Sequence, residues 1–227
     1  MQQSGVHFFP LAYPFILLFL VVGGVVLALI EIHAIEYAYA RIGIDHRYVF
    51  GLLLLSLLGS YVNIPVAELP AEKVLSDQEI SFYGMRYVIP VLRESPRTVI
   101  AINFGGAVIP TLLSVYLLAK NAIYLKSLAG VVIVAAIVNW LARPIAGVGI
   151  AIPTFVPPLV AAGVALTLSR VSAPSLAYVS GSLGTLIGAD LLNLGRIQGL
   201  GAPVASIGGA GTFDGIFLTG ILAVLLA

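Results

Sequence analysis

The sequence predicts an all-α integral membrane protein, one domain over residues 1–227 with about seven transmembrane helices. Three observations predict it. Hydrophobic residues fill 60% of the 227 positions and charged ones only 9%, for a mean hydropathy of +1.09. Soluble domains carry about 25% charged residues, so a chain this apolar has too little polar surface to cover itself in water. Apolar runs approaching the roughly 20 residues needed to cross a bilayer recur along the chain. The polar residues collect instead in one long segment, 66–97.

The first span runs from about Leu11 to Ile35 and continues as an amphipathic end through Ala40. No Lys or Arg precedes Arg41, so the start lacks the basic region of a signal peptide and reads as a short tail ahead of a spanning helix. The second span covers Tyr48–Val62 and is closed by Asn63-Ile64-Pro65. The insertion 66–97 is too polar to be embedded. Within it, Glu79–Tyr83 and Met85–Ile89 are β-rich runs flanking Gly84, which suggests a small extramembrane β-hairpin. The remaining spans are Thr98–Ala119, Leu125–Ala142, Pro153–Leu168, Pro174–Leu194 and a last one within Pro203–Ala227.

Lys and Arg in short loops set the orientation. Arg41, Arg47, Lys120, Lys126 and Arg170 fall on one side, against Arg143 and Arg196 on the other. That predicts an extracytoplasmic N-terminus in the cell membrane. The net charge of +1 and the lack of a basic cluster give no nucleic acid a foothold. With no cysteine, disulfides, thiolate metal sites and thiol nucleophiles are excluded. No cofactor is expected. Expected partners are the lipid bilayer, a second copy of the chain, and a small ion or small-molecule substrate.

Two apolar segments combine Gly with Pro: Asn103–Thr111, with Gly106 and Pro110, and Arg143–Thr154, with Gly149 and Pro153. Proline removes an amide donor, and irregular backbone survives in a membrane only where it is buried in protein or lines a wet cavity. They read as Gly/Pro-interrupted helices shaping a path, or as plain kinks with tight packing.

Beyond Glu94 the chain has two carboxylates, Asp190 and Asp214, both in apolar, Gly-rich surroundings. An acid near the bilayer centre costs roughly 2.5–3.5 kcal/mol, which makes such residues functional candidates. A short connection would make helices six and seven antiparallel neighbours, with Asp190 roughly 7 Å deep and Asp214 at similar depth. Small residues at Ala177, Gly181, Thr185 and Ala189, and at Gly211 and Gly215, would let the helices approach closely. Two such carboxylates cannot both ionise cheaply, so one would hold a proton or the two would share a cation. Three roles follow: a proton or cation site in a small transporter, with Asn103, Arg143, Asn193 and Thr212 as the supporting polar path; general acid and base of an aspartyl hydrolase; or a structural pair in an accessory membrane protein.

Glu31, His33 and Glu36 share one and a half turns and suit either a metal or, more simply, the polar end of a helix leaving the membrane; no metal site is predicted. Ser180-Gly181 lacks a later histidine to serve as base, which excludes a rhomboid-type serine.

The run Ile207–Gly220, the run Gly184–Leu194 and the Arg143–Pro158 stretch resemble the domain of unknown function 1614 family, prokaryotic polytopic membrane proteins. The resemblance covers most of the chain. It implies a polytopic membrane protein and brings no activity or ligand. The aspartates also invite comparison with presenilin-type proteases, which carry Tyr-Asp and Gly-x-Gly-Asp and a later Pro-Ala-Leu. Here Ala189 precedes Asp190, Gly-Thr-Phe precedes Asp214, and the third motif is missing.

Overall fold

The computed structural model describes residues 20–21, 23–24, 28, 31–70, 80–82, 85–87, 97–145, 149–197, 204–209 and 215–227. They divide into two compact units, Met1–Tyr37 and Ala38–Ala227. The described residues of the first are helical, and helix α1 (Glu31–Arg41) carries the chain into the second.

In the second unit, α2 (His46–Gly59) starts where the Asp45 side chain accepts a hydrogen bond from the Arg47 amide at 3.0 Å, a helix cap. Strand β1 (Asn63–Pro70) follows. A short antiparallel pair, β2 (Ile80–Phe82) and β3 (Met85–Tyr87), stands at the hairpin read from the sequence, although Gly84 itself lies outside the described residues. Strand β4 (Arg97–Asn103) feeds α3 (Phe104–Asn121), whose first turn, Phe104–Val108, is π-helical. Then come α4 (Tyr124–Leu141), the hairpin of β5 (Arg143–Ile145) and β6 (Gly149–Ala151), and α5 (Val156–Leu168). Helix α6 begins at Ala173 and runs regularly to Thr185. It continues through a π turn (Leu186–Asp190), a 3-10 turn (Leu191–Asn193) and a last short helical piece (Leu194–Ile197). Strand β7 (Val204–Ile207) and helix α7 (Gly215–Leu226) complete it.

Among the described residues, three helices are long and apolar enough to cross a membrane: Phe104–Asn121, Tyr124–Leu141 and Ala173–Arg196; the bent pair α1 and α2 makes a fourth candidate. Of the seven spans expected, the first, Leu11–Ile35, lies largely outside the described residues. Val156–Leu168 and Gly215–Leu226 are apolar but short. The 12 residues of α7 rise about 18 Å, against a hydrocarbon core about 30 Å thick. Residues counted into the third and seventh spans go into strands instead. Thr98, Val99, Ile100 and Ile102 are β-branched, and β4 takes them into a three-stranded sheet of order β1-β4-β7. Here β4 lies antiparallel to β1 and parallel to β7, with Ile102 opposite Ile207. Pro65 is accommodated because β1 is an edge strand with an irregular register between Pro65 and Ala67.

The packing inverts the soluble pattern. Phe50, Leu125, Val132, Trp140, Phe155 and Leu159 are exposed, while Ala161, Ala165, Ala177, Ser180, Ser182 and Thr185 are buried. Small residues inside and large apolar ones outside suit a lipid surround, where close backbone packing rather than water exclusion drives helix association. Helix α6 is the hub. A Cβ at Gly181 would stand 3.2 Å from Ala161 Cβ on α5, 3.4 Å from Thr219 and 3.5 Å from Ala223 on α7. The small face of α6 therefore meets Thr219 and Ala223. Among the described residues, nothing lies within 4 Å of the corresponding point at Gly215.

Pro110 lies within α3 directly after the π turn of Phe104–Val108, so the helix changes its hydrogen-bond pattern beside this proline. Pro153 follows strand β6 and precedes α5, so the Gly149 segment is a hairpin arm.

Candidate functional site

Two β-branched runs end in Gly-Gly: Thr98 to Ile102 leads through Asn103-Phe104 to Gly105-Gly106, and Val204 to Ile207 leads to Gly208-Gly209. Because β4 and β7 are parallel, both glycine pairs emerge at the same end of the sheet. They touch there. A Cβ on Gly106 would lie 1.9 Å from the Gly208 carbonyl oxygen, and one on Gly208 would lie 2.6 Å from the Ala107 amide nitrogen. Gly208 also has φ +92°, a conformation that disfavours a side chain.

Asn103, 1% exposed, ties this crossing together. Its Nδ2 donates to the Ser60 carbonyl at 2.7 Å and to Asn63 Oδ1 at 3.1 Å, and its Oδ1 accepts from the Gly106 amide at 2.7 Å. Asn63 Oδ1 also receives the Ser206 hydroxyl at 2.7 Å, and that hydroxyl contacts the Gly209 carbonyl as well. Asp190 enters from α6. Its Oδ2 accepts from the Gly208 amide at 2.7 Å.

The break in α6 is what delivers the carboxylate. In a π turn the amide bonds five residues back, as Leu191 does to the Leu186 carbonyl. One residue is thereby inserted into the turn, and Asp190 swings towards the face that carries Thr185. The cost is a set of carbonyls released from the regular ladder. Two asparagines meet it. Asn193 Nδ2 donates to Gly188 and Ala189 carbonyls at 2.9 and 3.0 Å, and Asn139 Nδ2 from α4 reaches the Gly188 carbonyl at 3.2 Å. Arg196 in turn donates to Asn193 Oδ1 at 3.2 Å. Asn193→Ala removes the Ala189 carbonyl's side-chain partner in a buried setting, and we expect a loss of about 1–3 kcal/mol. Thermal melting of the detergent-solubilised variant measures it, and an unchanged midpoint would contradict this account of the break.

Above the break, α6 carries Ser175, Tyr178, Ser182 and Thr185 on one helical face, all buried. A Cβ at Gly220 of α7 would meet Ser182 Oγ at 2.4 Å and the Tyr178 ring at 3.1 Å, so the two side chains converge on that point. Ser175 Oγ accepts from Asn121 Nδ2 at 3.3 Å. The Thr185 hydroxyl has no hydrogen-bond partner among the described residues, and the Ser182 hydroxyl is hydrogen-bonded with the Tyr178 side chain. Other buried serines divide: Ser114 and Ser180 each bond the carbonyl four residues back at 2.7 Å, whereas Ser56 and Ser127 have no partner among the described residues.

Residues 57–226 match the family described as "Protein of unknown function (DUF1614)". The chain belongs to this family. No curated protein and no solved structure matches it. The DUF1614 segment holds the sheet, the glycine crossing and the whole of α6, whereas α1 and most of α2 precede it.

Of the residues singled out in this DUF1614 chain, Asn103 and Asp190 come to the glycine crossing, as does Gly106, and Asn193 sits at the α6 break. Arg143 is exposed at the start of β5. Asp214 and Thr212 lie outside the described residues. Glu31, His33 and Glu36 are described, and no metal-holding cluster occurs among the described residues. Sequence reasoning missed Asn63, Ser206 and Gly208. The repeated pattern of a β-branched run closed by Gly-Gly was the available signal.

Proposed function

We propose that this protein passes protons or a small cation through its helix bundle, with Asp190 as the ion-binding carboxylate. The observation that carries the reading is the file of buried hydroxyls on α6 that leads to Asp190. From Ser175 to Asp190 is 15 residues, or about 22 Å of helix rise, most of a hydrocarbon core about 30 Å thick. A buried hydroxyl without a partner costs about 1–3 kcal/mol, and Thr185, directly before the π turn that carries Asp190, has none among the described residues. A hydroxyl has one donor hydrogen and two acceptor lone pairs, the minimum needed to hand on a proton or to replace part of a cation's hydration shell. Asp190 supplies the charge that such an ion neutralises, and intramembrane carboxylates of this kind mark ion pathways.

In this reading the protein is an integral protein of the cell membrane with an extracytoplasmic N-terminus, and Asn103 holds the backbone crossing against which Asp190 is docked. The hydrolase alternative requires two carboxylates acting together and so depends on Asp214. Asp190 alone suffices for ion binding.

Reconstitution into liposomes tests the reading. With a pH-sensitive dye inside, the purified chain is expected to dissipate an imposed proton or sodium gradient faster than empty liposomes do. Thr185→Val should slow that flux without lowering the melting temperature, because removing an unpartnered buried hydroxyl is neutral or stabilising. Gradients of both ions that decay as in empty liposomes would sink the proposal.

A further inference from the structure

A second feature stands apart from Asp190. Between α2, the Ile109–Lys120 stretch of α3 and the Gly43–Asp45 turn lies a cavity of about 810 Å³. One part of its wall is apolar, built from Leu52, Leu55, Leu112 and Leu113. The other part is polar and carries Arg47 and Lys120, with a single acid, Asp45. Tyr48 and Tyr116 also line it.

Each polar group has a geometry that keeps the cationic end open. Lys120 Nζ donates to the Gly43 carbonyl and stands 5.5 Å from the centre of the Tyr116 ring, so it is held at the wall without an acidic partner among the described residues. Arg47 is 87% exposed, and its Nε is 3.8 Å from Asp45 Oδ1, a distance and an exposure at which the ion pair contributes little. Asp45 Oδ1 is also the cap of α2. Two cations against one acid, already engaged in capping, leave a positive surplus at this end. Tyrosines are the side chains favoured where a hydrocarbon layer meets headgroups.

We infer that this groove binds an anionic glycerophospholipid, its phosphate between Lys120 and Arg47 and an acyl chain along Leu52, Leu55 and Leu112. Charge complementarity selects the occupant. A neutral apolar molecule would leave the two cations unused, and a soluble anion would leave the leucine wall uncovered. The volume lies within the usual range of about 300–1,000 Å³ for ligand sites and suits part of a lipid, headgroup and one chain. Basic pockets between membrane helices are a general mode of anionic headgroup recognition.

The test uses the full chain, purified in detergent after exposure to mixed phosphatidylglycerol and phosphatidylcholine vesicles, with retained lipid counted by native mass spectrometry. One phosphatidylglycerol should be retained in preference to phosphatidylcholine. Lys120→Gln with Arg47→Gln should reduce that preference about tenfold. Leu112→Trp, which fills the apolar wall and leaves both cations, should lower retention of either lipid. Equal retention of the two lipids by the wild-type chain would overturn the inference. So would retention unchanged in both variants, and so would displacement of the lipid by glycerol phosphate alone, which would mark a phosphate site rather than a lipid groove. None of these outcomes bears on ion flux through Asp190.

Discussion

Substituting valine for Gly106 is expected to abolish folding. The Cβ would be placed 1.9 Å from the Gly208 carbonyl oxygen, well inside van der Waals contact, and both partners are backbone. No rotamer relieves such a clash. Relief requires α3 to part from the chain leaving β7, which would undo the parallel pairing of β4 with β7 and the Asp190–Gly208 hydrogen bond together. Losses above about 4 kcal/mol are exceptional for one substitution, and this one combines a clash with broken buried hydrogen bonds. Against a total stability of about 5–15 kcal/mol, little folded protein should remain. Yield after solubilisation and the melting midpoint provide the measurement. Gly215→Ala is the matched control: its Cβ meets no described residue within 4 Å, and alanine favours the helix, so this variant should melt at or above the wild-type temperature. A Gly106→Val protein melting like the wild type would refute the backbone crossing.

Asp190→Asn should leave the fold intact and reduce ion flux to that of empty liposomes. Asparagine keeps a carbonyl oxygen for the Gly208 amide, so the 2.7 Å contact that docks α6 against the crossing persists. What it loses is the negative charge and the capacity to take up a proton. A structural role would give the opposite result, with a lowered melting temperature in Asp190→Ala, retention in Asp190→Asn, and flux untouched in both. Measuring melting and flux on the same two variants therefore separates the roles. Asp190→Glu should restore part of the flux, since it restores the charge on a longer stem.

The helix pattern was readable because it depends on short-range information. Runs of apolar residues and prolines at the starts of α5 and α6 mark helices through local chemistry. The β2–β3 hairpin was readable for the same reason. The three-stranded sheet was not. Thr98–Ile102 is apolar enough to pass for the start of a span, and only pairing with residues 63–70 on one side and 204–207 on the other makes it a strand.

The site divides in the same way. Asp190 stood out because a carboxylate in an apolar helix is costly wherever it points, and that is a property of the sequence. Asn103 stood out as part of a Gly/Pro segment and of the expected polar path, and two of its three hydrogen bonds depend on Ser60 and Asn63 arriving from 43 and 40 residues away in the chain. One partner of Asp190 is a backbone amide, Gly208, which has no side chain for a sequence reading to notice. The sequence by itself determined an apolar helical protein with an isolated carboxylate in its sixth helix. The tertiary structure decided how many helices are long enough to span, where the carboxylate points, and what holds it. Strand pairing and backbone crossings join segments distant in the chain, and their energies depend on positions that no local pattern encodes.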